Sequence, residues 1–124
     1  MNVERIRDEG QQLRSPTGKV LGIVETRADY EKLVPALKAA GFDRIESLFG
    51  DDGVQLLERV GGFFFSDMEE RVLARHIDEL KAGHMVVLIS TPSDRVDELT
   101  EIAARNGARR LVHFGLMAVT WLTK

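Results

Sequence analysis

Unbroken apolar runs alternate with segments of helical periodicity along this chain, and the same order of elements occurs twice. Lys19–Glu25 and Met85–Ile89 consist mostly of apolar residues, the pattern of strands that are buried on both faces. Each run is followed by a segment with apolar residues at helical spacing, which ends at Gly41 in the first case and at Gly107 in the second. Another strand follows each glycine. The pattern therefore predicts two β-strand–α-helix–β-strand (βαβ) units.

Similar residues recur in the two units at a constant spacing of 66 positions. Two βαβ units with right-handed crossovers predict the α+β class and a ferredoxin-like split βαβ fold. Its expected form is a four-stranded antiparallel sheet, with two helices on one face and a helical insertion between the second and third strands. A small doubly wound parallel sheet is the alternative, which the constant spacing disfavours. The matching pairs are Val20 and Val86, Ile23 and Ile89, Leu33 and Leu99, Gly41 and Gly107, Arg44 and Arg110, and Ile45 and Leu111.

The chain is expected to form a single domain. Residues 1–18 form an N-terminal arm, 19–49 the first βαβ unit, 50–83 the helical insertion, 84–115 the second unit and 116–124 a C-terminal tail. Within the insertion we predict a short helix over Val54–Val60 and, after the capping box Ser66-Asp67-Met68-Glu69, a helix that runs to about Ala82. The tail is interpreted as a strand extension or a short docked segment.

Both faces of the predicted sheet are apolar. In the first strand Val20 and Val24 share one face, whereas Leu21 and Ile23 share the other. Because an exposed apolar face costs roughly 25 cal/mol per Å², the face without the two repeat helices needs a cover. The insertion or a second subunit would cover this face, and the Phe63–Phe65 run and the single tryptophan could pack against it in either arrangement. We expect a homodimer to which the insertion contributes.

Charge and composition argue against several classes of partner. The net charge is −3, which provides no electrostatic footprint for nucleic acid, and the two predicted central strands lack aromatic residues on which RNA bases would stack. No apolar run approaches the roughly 20 residues of a membrane span. The absence of cysteine removes disulfides, thiolate nucleophiles and cysteine-type zinc sites. We expect a cytoplasmic protein with neither a nucleic-acid nor a membrane partner.

No catalytic, cofactor or metal motif stands above background, so we expect no cofactor and no metal. The histidines lack the i, i+4 spacing of a helical zinc site, and Asp51 and Asp52 lack the alternating ligands of a calcium loop. His113, in the fourth predicted strand, is the strongest candidate for acid–base chemistry or ligand contact, although a structural role is commoner for such a histidine. His84 begins the third strand and is not expected to adjoin His113.

Three further residues are candidate ligand contacts. Arg109 and Arg110, together with Arg105, form a basic cluster that would bind an anion or balance the dipole of the preceding helix. Phe64 lies in the aromatic run of the insertion, close to the crevice expected between sheet and insertion.

The segment VLGIVETRADYEKLVPALKAAGFDRIESL, from Val20 to Leu48, resembles the N-terminal module of the bacterial general stress protein family of the heat-induced type. The shared features are the strand, the short polar turn and the helix that ends in KAAGF. The resemblance covers less than a third of the chain, and residues 50–83 depart from it. It carries over no catalytic residue and implies a small cytosolic bacterial accessory protein.

Three functional hypotheses follow. The leading one is a non-enzymatic, homo-oligomeric regulatory or stress-related module that binds a small ligand between sheet and insertion. The second is a small dimeric ferredoxin-like lyase, isomerase or monooxygenase, in which His113 is the general base with Glu46 or Arg110 nearby. The third is a protein–protein adaptor whose partner binds the arm of residues 1–18.

Overall fold

Two βαβ units flank a helical hairpin in the computed structural model, which describes residues 18–61, 67–114 and 119–122. The helix predicted after the capping box is confirmed. The helix before it begins at Gly50 instead of Val54. Asp51 and Asp52 lie in its first turn, where the helix dipole favours acidic residues. The elements are β1 (Lys19–Val24), α1 (Arg27–Ala39), β2 (Ile45–Leu48), α2 (Gly50–Gly61), α3 (Asp67–Lys81), β3 (Met85–Ser90), a 3₁₀ turn (Ser93–Arg95), α4 (Val96–Arg105), β4 (Arg109–Phe114) and β5 (Val119–Trp121).

The strands form one sheet in the order β2-β3-β1-β4-β5, and every neighbouring pair is antiparallel. The central pair, β1 and β3, is in register from Lys19 opposite Ser90 to Val24 opposite Met85. The predicted α+β fold with an antiparallel ferredoxin-like sheet is therefore confirmed for β1 to β4. The order departs from the expected four strands through β5, because the C-terminal tail turns back and pairs with β4.

Each face of the sheet has its own apolar core, and the faces are divided as predicted. The first core includes Val20, Val24, Val87 and Ile89 of the sheet with Leu33, Leu37, Leu99 and Ala103 of α1 and α4. The second includes Leu21, Ile23, Val86 and Leu88 with Leu56, Leu57, Val72 and Leu73 of α2 and α3.

The insertion therefore covers the second face of its own sheet. The homodimer was predicted because that face needed a cover, and this reason no longer holds once α2 and α3 supply it. The homodimer stays a prediction, without the support of an uncovered face. The Phe63–Phe65 run, which was expected to serve as a cover, lies outside the described residues.

The repeat is also visible in the backbone at the ends of α1 and α4. The amide of Phe42 donates to the carbonyl of Leu37 at 2.9 Å, and the amide of Ala108 donates to the carbonyl of Ala103 at 3.0 Å. These bonds define the Schellman cap, in which a residue after the helix contacts a residue in its last turn. In both caps the two residues are apolar and buried in the same core.

A β-bulge interrupts the pairing of β1 with β4. Leu21 lies opposite Val112 and Ile23 lies opposite Arg109, so Gly22 faces two residues of β4, Arg110 and Leu111. Arg110 has a φ of 51°, which is left-handed backbone for a non-glycine residue.

The bulge leans Leu111 over β1, where only a glycine leaves room for it. A Cβ atom on Gly22 would lie 2.6 Å from Cδ2 of Leu111. Consecutive side chains of a regular strand point to opposite faces of the sheet, but the bulge breaks this alternation. Arg109 and Arg110 therefore both reach α3, on the side of the sheet that the insertion covers.

We predict that Gly22→Ala lowers the free energy of unfolding by about 1–3 kcal/mol, because the new methyl group overpacks against Leu111. Leu111→Val removes the colliding atom and alone lowers that free energy by about 1 kcal/mol. Urea unfolding of the wild type, both single variants and the double variant measures the coupling, and the double variant should lose less than the sum of the single losses. Strictly additive losses would show that Leu111 does not make Gly22 necessary.

Candidate functional site

The end of α3 has the same backbone cap as α1 and α4, but its side chains are polar. Gly83 has a φ of 94°, and the amide of His84 donates to the carbonyl of Glu79 at 3.0 Å. Glu79 and His84 thus occupy the two positions that are apolar in the other caps. The motif brings a carboxylate and an imidazole together where β3 begins.

Three cationic or proton-donating side chains converge on the carboxylate of Glu79. His84 Nδ1 lies 2.6 Å from Oε1, Arg109 Nη2 lies 3.6 Å from Oε1, and Arg110 Nε lies 3.4 Å from Oε2. Arg109 Nη2 also lies 2.5 Å from Oε2 of Glu25, which follows β1. We call Glu25, Glu79, His84, Arg109 and Arg110 the Glu79 cluster. It lies at the end of the sheet at which β1 ends and β3 and β4 begin.

The surroundings of Glu79 keep it ionised although its side chain is only 14% exposed. Burial alone would raise the pKa of this carboxyl, but the hydrogen bond with His84 and the charges of Arg109 and Arg110 outweigh burial and hold the pKa below its ordinary value. An ionised carboxylate only accepts hydrogen bonds. His84 therefore donates from Nδ1, and in the neutral imidazole Nε2 has the lone pair.

The two arginines have more hydrogen-bonding capacity than the cluster uses. A guanidinium has five N–H donors, yet the Nε atoms of Arg109 and Arg110 are buried and donate no hydrogen bond to any described residue. The approach of Arg110 Nε to Glu79 is an ion pair outside hydrogen-bond geometry. The left-handed backbone at Arg110 also lowers the stability of the fold, by about 1–2 kcal/mol. Such strain and β-bulges are both concentrated near functional sites.

His76 lies one helical turn before Glu79 and is fully buried. Its Nδ1 lies 2.8 Å from the carbonyl oxygen of Val72. Burial lowers the pKa of His76, and this effect exceeds the opposing effects of the Val72 hydrogen bond and the charge of Glu79; the charges of Arg110 and Arg75 lower it further. His76 is therefore a neutral core residue beside the cluster.

The structure does not bring His113 together with either predicted helper. His113 is half-buried opposite Val20 in β4, and its side chain forms no hydrogen bond or ion pair with a described residue. Glu46 lies in β2, which β3 and β1 separate from β4, and pairs with Lys19 at 3.1 Å. Arg110 reaches α3 on the opposite face from the one that His113 shares with Leu111. His84 lies at the other end of the sheet, so the expected separation of the two histidines holds.

The predicted arginine cluster is divided. Arg109 and Arg110 lie together in the Glu79 cluster, where they pair with carboxylates. Arg105 points elsewhere and pairs with Glu101 at 3.0 Å. Phe64 lies outside the described residues.

Glu25, Glu79 and His84 were not among the predicted site residues. A detectable signal was present, because Glu79 and His84 have the spacing of a Schellman cap around Gly83, with polar residues at positions that are usually apolar. In the part of the chain that the structure describes, no three histidine or acidic side chains are arranged to hold a metal ion. Within those same ranges, no helix is both long enough and apolar enough to span a bilayer.

Comparison with protein-family models, curated proteins and solved structures finds no match for this chain. The Glu79 cluster must therefore be interpreted from its own chemistry.

We predict that the protein loses stability as the pH falls below about 6.5, the ordinary pKa of histidine. Because the pKa of His76 is lowered in the folded state, the unfolded chain binds more protons in this range, and acid favours unfolding. The lowered pKa of Glu79 adds a second decline that begins near the ordinary glutamate value of about 4.3. His76→Leu should remove the first decline and keep the second. Urea unfolding at a series of pH values measures both.

His113→Gln is the matched control, because it removes a histidine that no described residue bonds. It should retain the decline below about pH 6.5. If His76→Leu and the wild type decline in parallel, the buried histidine is not the source of the acid sensitivity.

Proposed function

We propose that the protein is a non-enzymatic binding module that takes a small anion, a carboxylate or a phosphate-type group, at the Glu79 cluster. The observation that carries this proposal is the pair of adjacent arginines, whose buried Nε donors are unused among the described residues while Arg110 is held in strained backbone. Guanidinium groups match carboxylate and phosphate oxygens with two parallel hydrogen bonds. A bound anion would use the donors that Glu79 and Glu25 leave free.

The charges of the cluster indicate which internal group the anion displaces. With His84 neutral, Arg109 and Arg110 balance Glu25 and Glu79, so the site has no net charge. Glu79 is 14% exposed and contacts three partners, whereas Glu25 is 47% exposed and contacts only Arg109 among the described residues. Glu25 is therefore the carboxylate that leaves, and Glu79 stays to orient the arginines.

This proposal agrees with the sequence-based hypothesis of a ligand held between sheet and insertion, because α3 belongs to the insertion and β4 to the sheet. A regulatory or stress-related role remains a proposal that rests on the sequence. The homodimer remains a proposal that an uncovered sheet face no longer supports. The enzyme hypothesis with His113 has less support, since its helpers lie elsewhere. The adaptor hypothesis depends on the N-terminal arm, of which residues 1–17 lie outside the described ranges.

We predict that Arg110→Gly weakens binding of sulfate and succinate by about tenfold or more, because it removes charge-assisted hydrogen bonds. The free energy of unfolding should stay within about 1 kcal/mol of wild type, since relief of the left-handed strain offsets the lost ion pair. Isothermal titration calorimetry at low ionic strength near pH 7 measures the affinity, and urea unfolding measures stability.

Arg105→Ala is the matched control, since it makes the same change in net charge at an exposed arginine outside the cluster. It should leave the affinity unchanged. The proposal is wrong if wild type binds neither anion up to millimolar concentrations, or if Arg105→Ala weakens binding as much as Arg110→Gly does.

We further predict that Glu25→Gln strengthens binding of the same two anions, because it removes the negative charge that competes for Arg109. The expected gain is a few-fold, in keeping with a half-exposed ion pair worth about 0.2–1 kcal/mol. Calorimetry under identical conditions measures it, with Glu31→Gln, in an exposed pair with Arg27, as the control. Weaker binding in Glu25→Gln would mean that Glu25 supports the ligand instead of competing with it.

A further inference from the structure

We propose that anion binding at the Glu79 cluster is coupled to the uptake of one proton, which His84 holds at Nε2. This inference rests on the proposed function and adds its regulation: the site binds its anion more tightly as the solution becomes more acidic.

The geometry defines which atom takes the proton. The ionised carboxylate of Glu79, 2.6 Å from His84 Nδ1, requires that Nδ1 carries its hydrogen in both protonation states. Nε2 is then the atom that gains or loses a proton. The His84 side chain is 30% exposed, and no described residue bonds to Nε2, so this atom is open to solvent and to a ligand.

The charge around His84 explains why protonation matters to an anion. Glu79 from α3 contacts His84 directly. Arg109 and Arg110 from β4 are linked to His84 through Glu79, and Glu25 after β1 is linked through Arg109. With neutral His84 these charges cancel, and Nε2 presents a lone pair that repels an anion. With protonated His84 the cluster has a charge of +1 and gains an N–H donor.

The other groups nearby do not replace His84 in this role. Arginine keeps its proton at every pH at which proteins fold. His76, the nearest other imidazole on α3, is buried and neutral, because burial lowers its pKa. Within the described part of the cluster, His84 is therefore the side chain to which we assign the proton.

Linkage gives the size of the effect. When binding takes up one proton, the affinity rises by up to about tenfold for each unit by which the pH falls, and the effect ends once His84 is fully protonated. Fewer protons are taken up where His84 is already protonated before the anion arrives.

The test is calorimetric titration of the wild-type protein with sulfate, whose charge is constant between about pH 6 and 8. Titrations in buffers with different ionisation enthalpies give the number of protons taken up directly. We expect a measurable uptake of at most about one proton near neutral pH and an affinity that falls from about pH 6 to 8. Titration with succinate shows whether a carboxylate ligand behaves in the same way as the phosphate-type anion.

His84→Asn isolates the cause, because the asparagine amide still donates to Glu79 from the position of Nδ1 but does not titrate. This variant should bind sulfate without proton uptake and with an affinity that does not depend on pH. His113→Asn removes a histidine outside the cluster and should behave as wild type does.

The outcomes separate this inference from the function on which it rests. Binding without proton uptake in the wild type, or unchanged uptake in His84→Asn, overturns the inference and leaves the anion site standing. Absence of sulfate and succinate binding in the wild type overturns both.

Discussion

The fold depends on a sheet that is apolar on both faces and must be covered twice. Residues that alternate along β1 and β3 divide between two separate cores, so neither face can remain in water without a large loss of hydrophobic stabilisation. The repeat helices α1 and α4 cover one face, and the insertion covers the other. This constraint brings α3 back over the sheet and places its C-terminal end beside the start of β4, which is where the Glu79 cluster forms.

The three helix caps show how one backbone motif serves two purposes. In α1 and α4 the capped residues are apolar and extend the first core, which the periodicity of the two βαβ units predicts. In α3 the same hydrogen bonds hold Glu79 against His84. The backbone cap therefore holds the two residues that carry the carboxylate and the imidazole next to each other. A pair positioned in this way is pre-organised before any ligand arrives.

The sequence predicted those features that depend on local pattern. Strand and helix identity, the two faces of β1 and β3, and the antiparallel order of β1 to β4 followed from periodicity and from the repeat. The sequence did not predict the features that depend on long-range packing, such as the direction in which a side chain points. The bulge at Arg110 has no local signature, yet it directs that side chain to α3. For the same reason Arg110 was expected near His113, whereas it lies on the opposite face and pairs with Glu79, 31 positions earlier in the chain.

Stability alone does not explain the composition of the Glu79 cluster. Replacing buried ion groups by apolar residues of similar volume is often neutral or stabilising by about 1–4 kcal/mol. Apolar residues occupy the corresponding positions in the caps of α1 and α4, at Leu37 with Phe42 and at Ala103 with Ala108. At the third cap it instead keeps a desolvated carboxylate, two arginines with unused buried donors among the described residues, and a left-handed arginine. The unused buried donors and the left-handed backbone both lower stability, and both belong to the Glu79 cluster, as expected of a site that is kept for binding.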